Sequence, residues 1–129
     1  MNWVALVVLL ALIEYFVLGG LVGRARVKYA IAAPAVTGHP LFERYFRVHQ
    51  NSLEQLIIFV PAVWLFGLYV SALWAAVVGA VFLAARILYA VGYIAAPERR
   101  EAVAVLSGVT EAVLLIGALV GIIRSIVLT

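Results

Sequence analysis

Cysteine is absent from this chain of 129 residues, and charged residues are scarce. Without a thiol the protein can form no disulfide, no thiolate metal site and no sulfur nucleophile of its own, so any thiol chemistry must come from a ligand. Charged residues make up 12% and apolar residues 67% of the chain, against about 25% and 45–50% in an average soluble domain. This balance predicts an integral membrane protein.

The apolar residues come in four long runs. A helix that rises about 1.5 Å per residue needs roughly 20 residues to cross a hydrocarbon core of about 30 Å. We therefore predict an all-α, membrane-spanning four-helix bundle that forms a single domain over residues 1–129. The spans are expected at about residues 3–23, 50–70, 72–94 and 102–128. The first run could instead be a secretory signal, but no basic residue precedes it and Glu14 interrupts it.

Basic residues predict the orientation of the spans. They cluster in or beside the first and third connections, whereas the amino terminus and the second connection have none. The clustered residues are Arg24, Arg26, Lys28, Arg44, Arg47, Arg99 and Arg100. The positive-inside rule then predicts cytoplasmic first and third loops, with both termini outside. Because this topology accounts for the net charge of +3, we expect no nucleic-acid partner.

Each span contains a charged residue that could join a shared polar site: Glu14, Glu54, Arg86 and Glu111. The fourth span also contains Arg124, which lies towards the opposite face. A charge near the centre of a membrane helix costs roughly 3 kcal/mol or more unless it faces a polar partner or water, so such residues are candidates for a functional site. Their positions along the spans predict one layer, roughly 6–15 Å below the cytoplasmic surface, in which they can meet. An alternative is internal pairing, in which glutamates neutralise Arg86 and hold the helices in register.

Two helical faces are the strongest candidates for a binding site. Arg47, Asn51 and Glu54 are spaced at i, i+4 and i+7 and share one face of the second helix. The third helix has a comparable face, formed by Arg86, Tyr89 and Tyr93. These side chains suit a small zwitterionic or peptide-like ligand with carboxylates and an amine, although the tyrosines could instead serve as interhelical hydrogen-bond partners.

Other kinds of site have little support. His39 and His49 lack the spacing of metal ligands, so we predict no metal and interpret His39 as a solvated loop residue. The sequence has no glycine-rich phosphate loop and no convincing serine, histidine and acid set. Hydrolysis and phosphoryl transfer are therefore disfavoured. The buried acidic residues leave a channel or transporter as a further alternative, but they form no obvious pathway.

Two segments resemble a known family. TGHPLFERYFRVHQNSLEQLIIFVPAVWLF, residues 37–66, is similar to the second-helix motif of the MAPEG family, the membrane-associated proteins in eicosanoid and glutathione metabolism. ARILYAVGYIAAPERR, residues 85–100, resembles that family's second motif. The loop sequence ARVKYAIAAPAVTGHP is similar to that of the bacterial branch, which implies a bacterial inner membrane. The first and fourth spans agree only in length and placement.

The resemblance implies a left-handed bundle that assembles as a homotrimer and binds glutathione between protomers near the cytoplasmic side. It also implies a glutathione-dependent transferase or peroxidase. The co-substrate would then be glutathione, and the second substrate would be a lipophilic electrophile or a lipid hydroperoxide. Because the family also contains a non-enzymatic member, a lipid- or glutathione-binding scaffold without turnover is the alternative.

The resemblance assigns roles to particular residues. Those that match the family's glutathione-binding positions are Arg26, Arg47, Asn51, Glu54, Arg86, Tyr89 and Tyr93. Arg100 matches the arginine proposed to stabilise the glutathione thiolate, although the adjacent Arg99 could take that position. Val27 stands where some family enzymes have a second arginine, which argues against a catalytic role that needs a pair there.

Overall fold

Four long helices make up most of the protein. The computed structural model describes residues 1–99 and 101–129. Within them lie α1 (Asn2–Tyr29), α2 (Pro40–Tyr69), α3 (Ala72–Ala95), a short 3-10 turn (Pro97–Arg99) and α4 (Glu101–Leu128). All four α-helices are long and apolar enough to cross a membrane. The predicted all-α bundle with four spans is confirmed, and the protein is an integral, multi-pass membrane protein.

Two helices extend beyond the predicted spans. α1 continues to Tyr29, and α2 begins at Pro40, well before residue 50. His39 caps α2, because its Nδ1 accepts a hydrogen bond from the Leu41 backbone N–H at 3.1 Å, and Pro40 suits the first helical position. The His39 ring also stacks on Tyr29 with centroids 3.8 Å apart. His39 is the last loop residue before α2, as interpreted, but it is half-buried and capping rather than simply solvated.

α2 and α3 form the centre of the bundle, and α1 and α4 each pack against both of them. The largest apolar core lies in the half of the bundle that includes the α2–α3 turn. Its fully buried side chains include Val4, Phe59, Val63, Phe82 and Leu114. The rings of Phe59 and Phe82 stack with their centroids 4.0 Å apart. This apolar half supports a polar half nearer the first loop.

The close approach of α4 to α2 depends on two glycines. A Cβ atom at Gly117 would overlap the Phe66 ring, and one at Gly121 would lie 2.8 Å from the backbone oxygen of Tyr69. Small residues of this kind permit tight packing between membrane helices. These contacts hold α4 against α2. Glu111, which precedes Gly117 on α4, therefore lies inside the bundle.

Candidate functional site

An open groove of about 330 Å³ lies beside the amino-terminal half of α2. We call it the α2 groove, and its lining residues are Val36, Thr37, Glu43, Phe46, Arg47, Gln50, Asn51 and Glu54. The structure thus brings together Arg47, Asn51 and Glu54, the three residues that the helical spacing placed on one face. Arg47 and Glu54 are exposed, and Asn51 is half-buried.

The α2 groove offers several kinds of polar group. Arg47 supplies a cation, Glu43 and Glu54 supply carboxylates, and Gln50 and Asn51 supply amides. Glu43 also accepts a hydrogen bond from the Gly38 backbone N–H, at 3.3 Å, which ties the preceding loop to the helix. A pocket with both charges and amides can bind a zwitterionic ligand of peptide character.

Sequence reasoning missed three of the polar lining residues: Thr37, Glu43 and Gln50. The signal for Gln50 was available, because it lies three residues after Arg47 and four before Glu54 on the same helical face. Glu43 similarly precedes Arg47 by one helical turn. Thr37 lies in the first loop, and its position depends on how that loop folds back, which helical periodicity does not predict.

Arg26 acts on the first loop and does not line the α2 groove. Its guanidinium donates hydrogen bonds to the backbone oxygens of Ala35, at 2.7 Å, and Ile31, at 3.4 Å. The same group lies 4.9 Å from the centroid of the Phe42 ring. Because the two residues that follow Ala35 line the α2 groove, Arg26 holds one wall of the groove in place within this chain.

Tyr89 connects the α2 groove to the bundle interior. Its hydroxyl accepts a hydrogen bond from the Asn51 side-chain amide at 3.2 Å, and its ring lies 4.2 Å beneath the Arg86 guanidinium. Tyr93 stacks against Tyr89 with a centroid distance of 5.6 Å. All three predicted α3 residues are buried, so they lie behind the groove-lining residues of α2.

Arg86 belongs to a polar cluster inside the bundle. It is only 4% exposed and donates a hydrogen bond to the Ser52 hydroxyl at 3.4 Å. Glu14, Ser52 and Arg86 also line a small cavity of about 10 Å³, roughly the size of one water molecule. The buried Glu14 Oε1 and Arg86 Nε atoms have no hydrogen-bond partner in the described protein, which makes this cavity the polar centre of the cluster.

Glu111 is paired on the α4 side of the same cluster. When the Gln55 amide is oriented with its nitrogen towards α4, it donates to the two carboxylate oxygens of Glu111 at 2.9 and 3.1 Å. Glu14 and Glu111 also interact electrostatically with Arg86. We call Glu14, Ser52, Gln55, Arg86 and Glu111 the inner polar layer.

Glu54 is not part of the inner polar layer. The prediction that it could meet the other three charged residues was wrong, because Glu54 faces outwards into the α2 groove. Glu14, Arg86 and Glu111 instead face one another inside the bundle. The alternative explanation for the charges within the spans was that they interact with one another. That explanation therefore fits these three residues and not Glu54.

The residues between α3 and α4 contain the predicted catalytic group. α3 ends at Ala95, and Pro97–Arg99 forms a 3-10 turn before α4 begins at Glu101. Arg100 lies outside the described residues. Its role with glutathione, and the alternative assignment to Arg99, therefore stay predictions from the family resemblance.

The fold and the α2 groove together define a membrane-spanning four-helix bundle with a polar site beside its second helix. Residues 4–120 match the MAPEG family. The chain therefore belongs to the MAPEG family, and the match covers all four helices in whole or in part. The resemblance that two segments of the sequence indicated is confirmed over nearly the whole chain.

Several proteins are similar to this chain. An uncharacterized protein of Synechocystis sp. is 48% identical over 120 residues, which cover 93% of this chain and 88% of that protein. Human microsomal glutathione S-transferase 2 is 42% identical over 107 residues, or 82% of this chain and 71% of the human protein. Leukotriene C4 synthase of Cavia porcellus is 35% identical over 79 residues, or 61% of this chain and 53% of that enzyme.

Proposed function

We propose that this protein is a membrane-bound, glutathione-dependent transferase or peroxidase that acts on lipophilic electrophiles or lipid hydroperoxides. The observation that carries the proposal is the grouping of Arg47, Asn51 and Glu54 in one groove of a MAPEG chain. The similarity to a microsomal glutathione S-transferase supports the choice of glutathione as the co-substrate.

The α2 groove matches glutathione in charge and in size. Glutathione has two carboxylates, one ammonium group, two amides and a thiol. Arg47 can bind a carboxylate through charge-assisted hydrogen bonds, Glu54 can accept from the ammonium group, and Asn51 can pair with a peptide amide. The groove volume of about 330 Å³ lies within the range of roughly 300–1,000 Å³ for small-molecule sites.

We propose that Arg100 supplies the positive charge that activates the thiol. A guanidinium beside the sulfur stabilises the thiolate, and it would lower the pKa of glutathione from a free-thiol value of about 8.5 to below 7. The thiolate is the nucleophilic form, so this shift would make most of the bound ligand reactive at neutral pH. The family resemblance supports this role for Arg100.

The thiolate would then react with a co-substrate that enters from the lipid. With an electrophile, the sulfur forms a bond to carbon and the leaving group departs with its electron pair. With a hydroperoxide, the sulfur attacks oxygen and breaks the O–O bond, so that an alcohol forms after protonation and the sulfur becomes a sulfenic acid. A second glutathione converts the sulfenic acid to a disulfide and releases water.

The assembly and orientation belong to the same proposal. We infer a homotrimer in a bacterial inner membrane, with both termini outside and the first and third loops in the cytoplasm. The exposure of Arg47 and Glu54 along one side of α2 supports a neighbouring protomer that closes the groove. Native mass spectrometry of the detergent-solubilised protein should find three chains per particle, and a monomer that binds glutathione fully would contradict this assembly.

The decisive experiment measures turnover of glutathione with 1-chloro-2,4-dinitrobenzene. We expect Arg100→Ala to lower kcat by about 100-fold, as removal of one transition-state donor does in other enzymes. Arg47→Ala should mainly raise the KM for glutathione. Arg124→Ala, which removes an exposed arginine near the end of α4, is the matched control and should behave like the wild type.

Each other outcome has a distinct meaning. Equal turnover in the wild type, Arg100→Ala and Arg47→Ala would overturn the assigned roles. Glutathione binding by the wild type without any turnover, with either an electrophile or a hydroperoxide, would favour the non-catalytic scaffold. Ultraviolet titration of bound glutathione should detect the thiolate at pH 7–8, and its absence would contradict the proposed activation.

A further inference from the structure

A second groove lies where the end of α1 meets the start of α2, and it shares no lining residue with the α2 groove. We call it the α1 groove. It has a volume of about 160 Å³. Its main lining residues are Leu21, Arg24, Lys28, Tyr29, Leu41 and Tyr45. None of its lining residues is acidic, so the two cations lack a counter-charge within the groove.

Arg24 and Lys28 present their charges without protein acceptors. They lie one helical turn apart on α1, and both are exposed. Within residues 1–99 and 101–129, neither side chain donates a hydrogen bond to the protein. The Lys28 ammonium lies 5.4 Å from the centroid of the Tyr29 ring. Arg26, between them in sequence, contrasts with both because backbone oxygens of the first loop accept from its guanidinium.

The position of the α1 groove in the membrane restricts the anion that it can bind. α1 is a membrane-spanning helix that ends at Tyr29, so Lys28 lies near the headgroup region of the bilayer. Leu21 and Leu41 supply apolar surface beside the cations, and tyrosines are typical of the boundary between lipid and water. A phospholipid offers a phosphate and acyl chains together, whereas free phosphate would gain nothing from the apolar lining.

We propose that the α1 groove is a binding site for the phosphate headgroup of an anionic phospholipid. Arg24 and Lys28 would donate to the phosphate oxygens, and the apolar lining would contact the upper part of the acyl chains. The proposed site requires no particular membrane orientation, because phospholipid headgroups lie at both surfaces. It is also independent of glutathione, which the proposed function assigns to the other groove.

The test uses native mass spectrometry of the intact, detergent-purified protein with equal amounts of phosphatidylglycerol and phosphatidylcholine. The wild type should retain phosphatidylglycerol preferentially. Each basic residue near a membrane surface favours an anionic lipid by about fivefold, so the double variant Arg24→Gln/Lys28→Gln should lose roughly 25-fold in affinity. Arg124→Gln, at the other end of the bundle, is the control and should retain the preference.

Further variants and competitors separate the possible causes. The charge-preserving variant Arg24→Lys/Lys28→Arg should retain the lipid, and circular dichroism should show that every variant is folded. Unchanged phosphatidylglycerol binding in the folded double glutamine variant would overturn the proposal. Displacement of the lipid by millimolar inorganic phosphate would identify a simple anion site. Displacement by glutathione would assign the groove to the tripeptide, and either displacement would also overturn the proposal.

Discussion

α2 has two polar faces, and adjacent residues belong to opposite ones. Asn51 and Glu54 line the α2 groove, whereas their neighbours Ser52 and Gln55 belong to the inner polar layer. On the inner face, partners on α3 and α4 satisfy the polar side chains. On the outer face, Arg47 and Glu54 are exposed. Polarity within a span therefore does not by itself mark a ligand site, because the location of a side chain's partners decides its role.

The largest effect should come from removal of the cation in the inner polar layer. Arg86→Met keeps much of the side-chain volume but leaves the carboxyl groups of Glu14 and Glu111 without the charge that faces them. A buried polar group that loses its partner typically costs about 1–3 kcal/mol in the free energy of unfolding, and more when the group is charged. Denaturant unfolding in detergent, followed by circular dichroism, should therefore show a strong loss of stability.

Arg86→Lys is the control for this prediction, since it keeps the charge but loses the planar guanidinium above Tyr89. It should retain a larger part of the stability than Arg86→Met does. If Arg86→Met instead unfolds like the wild type and loses only glutathione affinity, then Arg86 contacts the ligand. That result would support the role in glutathione binding that the family resemblance implies.

The sequence predicts the spans well because run length and hydropathy determine which segments can cross a membrane. It also predicts the shared face of Arg47, Asn51 and Glu54, because that face depends on helical spacing alone. Whether Glu54 points towards Arg86 or away from it depends on the rotation of α2 within the bundle, which small differences in packing decide. The start of α2 at Pro40 was missed because its first turns are too polar to resemble a span.

Substitutions of two adjacent residues on α2 should separate ligand binding on its outer face from stability on its inner face. Glu54→Gln should weaken glutathione binding by about tenfold or more, because a charge-assisted hydrogen bond contributes roughly 1.5–3 kcal/mol, and it should leave stability unchanged. Gln55→Leu should instead lower the stability and leave glutathione binding unchanged. It removes the amide that faces Glu111, and a buried acceptor without its donor costs about 1–3 kcal/mol of unfolding free energy.

Isothermal titration calorimetry and denaturant unfolding, applied to both variants, measure the two effects. Each variant serves as the control for the other, since the changed side chains are neighbours in sequence on the same helix. A loss of affinity in Gln55→Leu that equals the loss in Glu54→Gln would contradict the division of α2 into an outer binding face and an inner structural face.

The smallest effect concerns the contact that joins the two faces. Tyr89→Phe removes the hydroxyl that accepts from Asn51 but keeps the ring beneath Arg86. Glutathione affinity should fall severalfold, since a neutral hydrogen bond contributes about 0.5–1.5 kcal/mol, and Tyr69→Phe at the exposed end of α2 is the control. The double variant Asn51→Ala/Tyr89→Phe should lose less affinity than the sum of the two single losses, because both changes remove the Asn51–Tyr89 contact. Fully additive losses in calorimetry would mean that Tyr89 and Asn51 act separately, and that Tyr89 does not position Asn51 in the α2 groove.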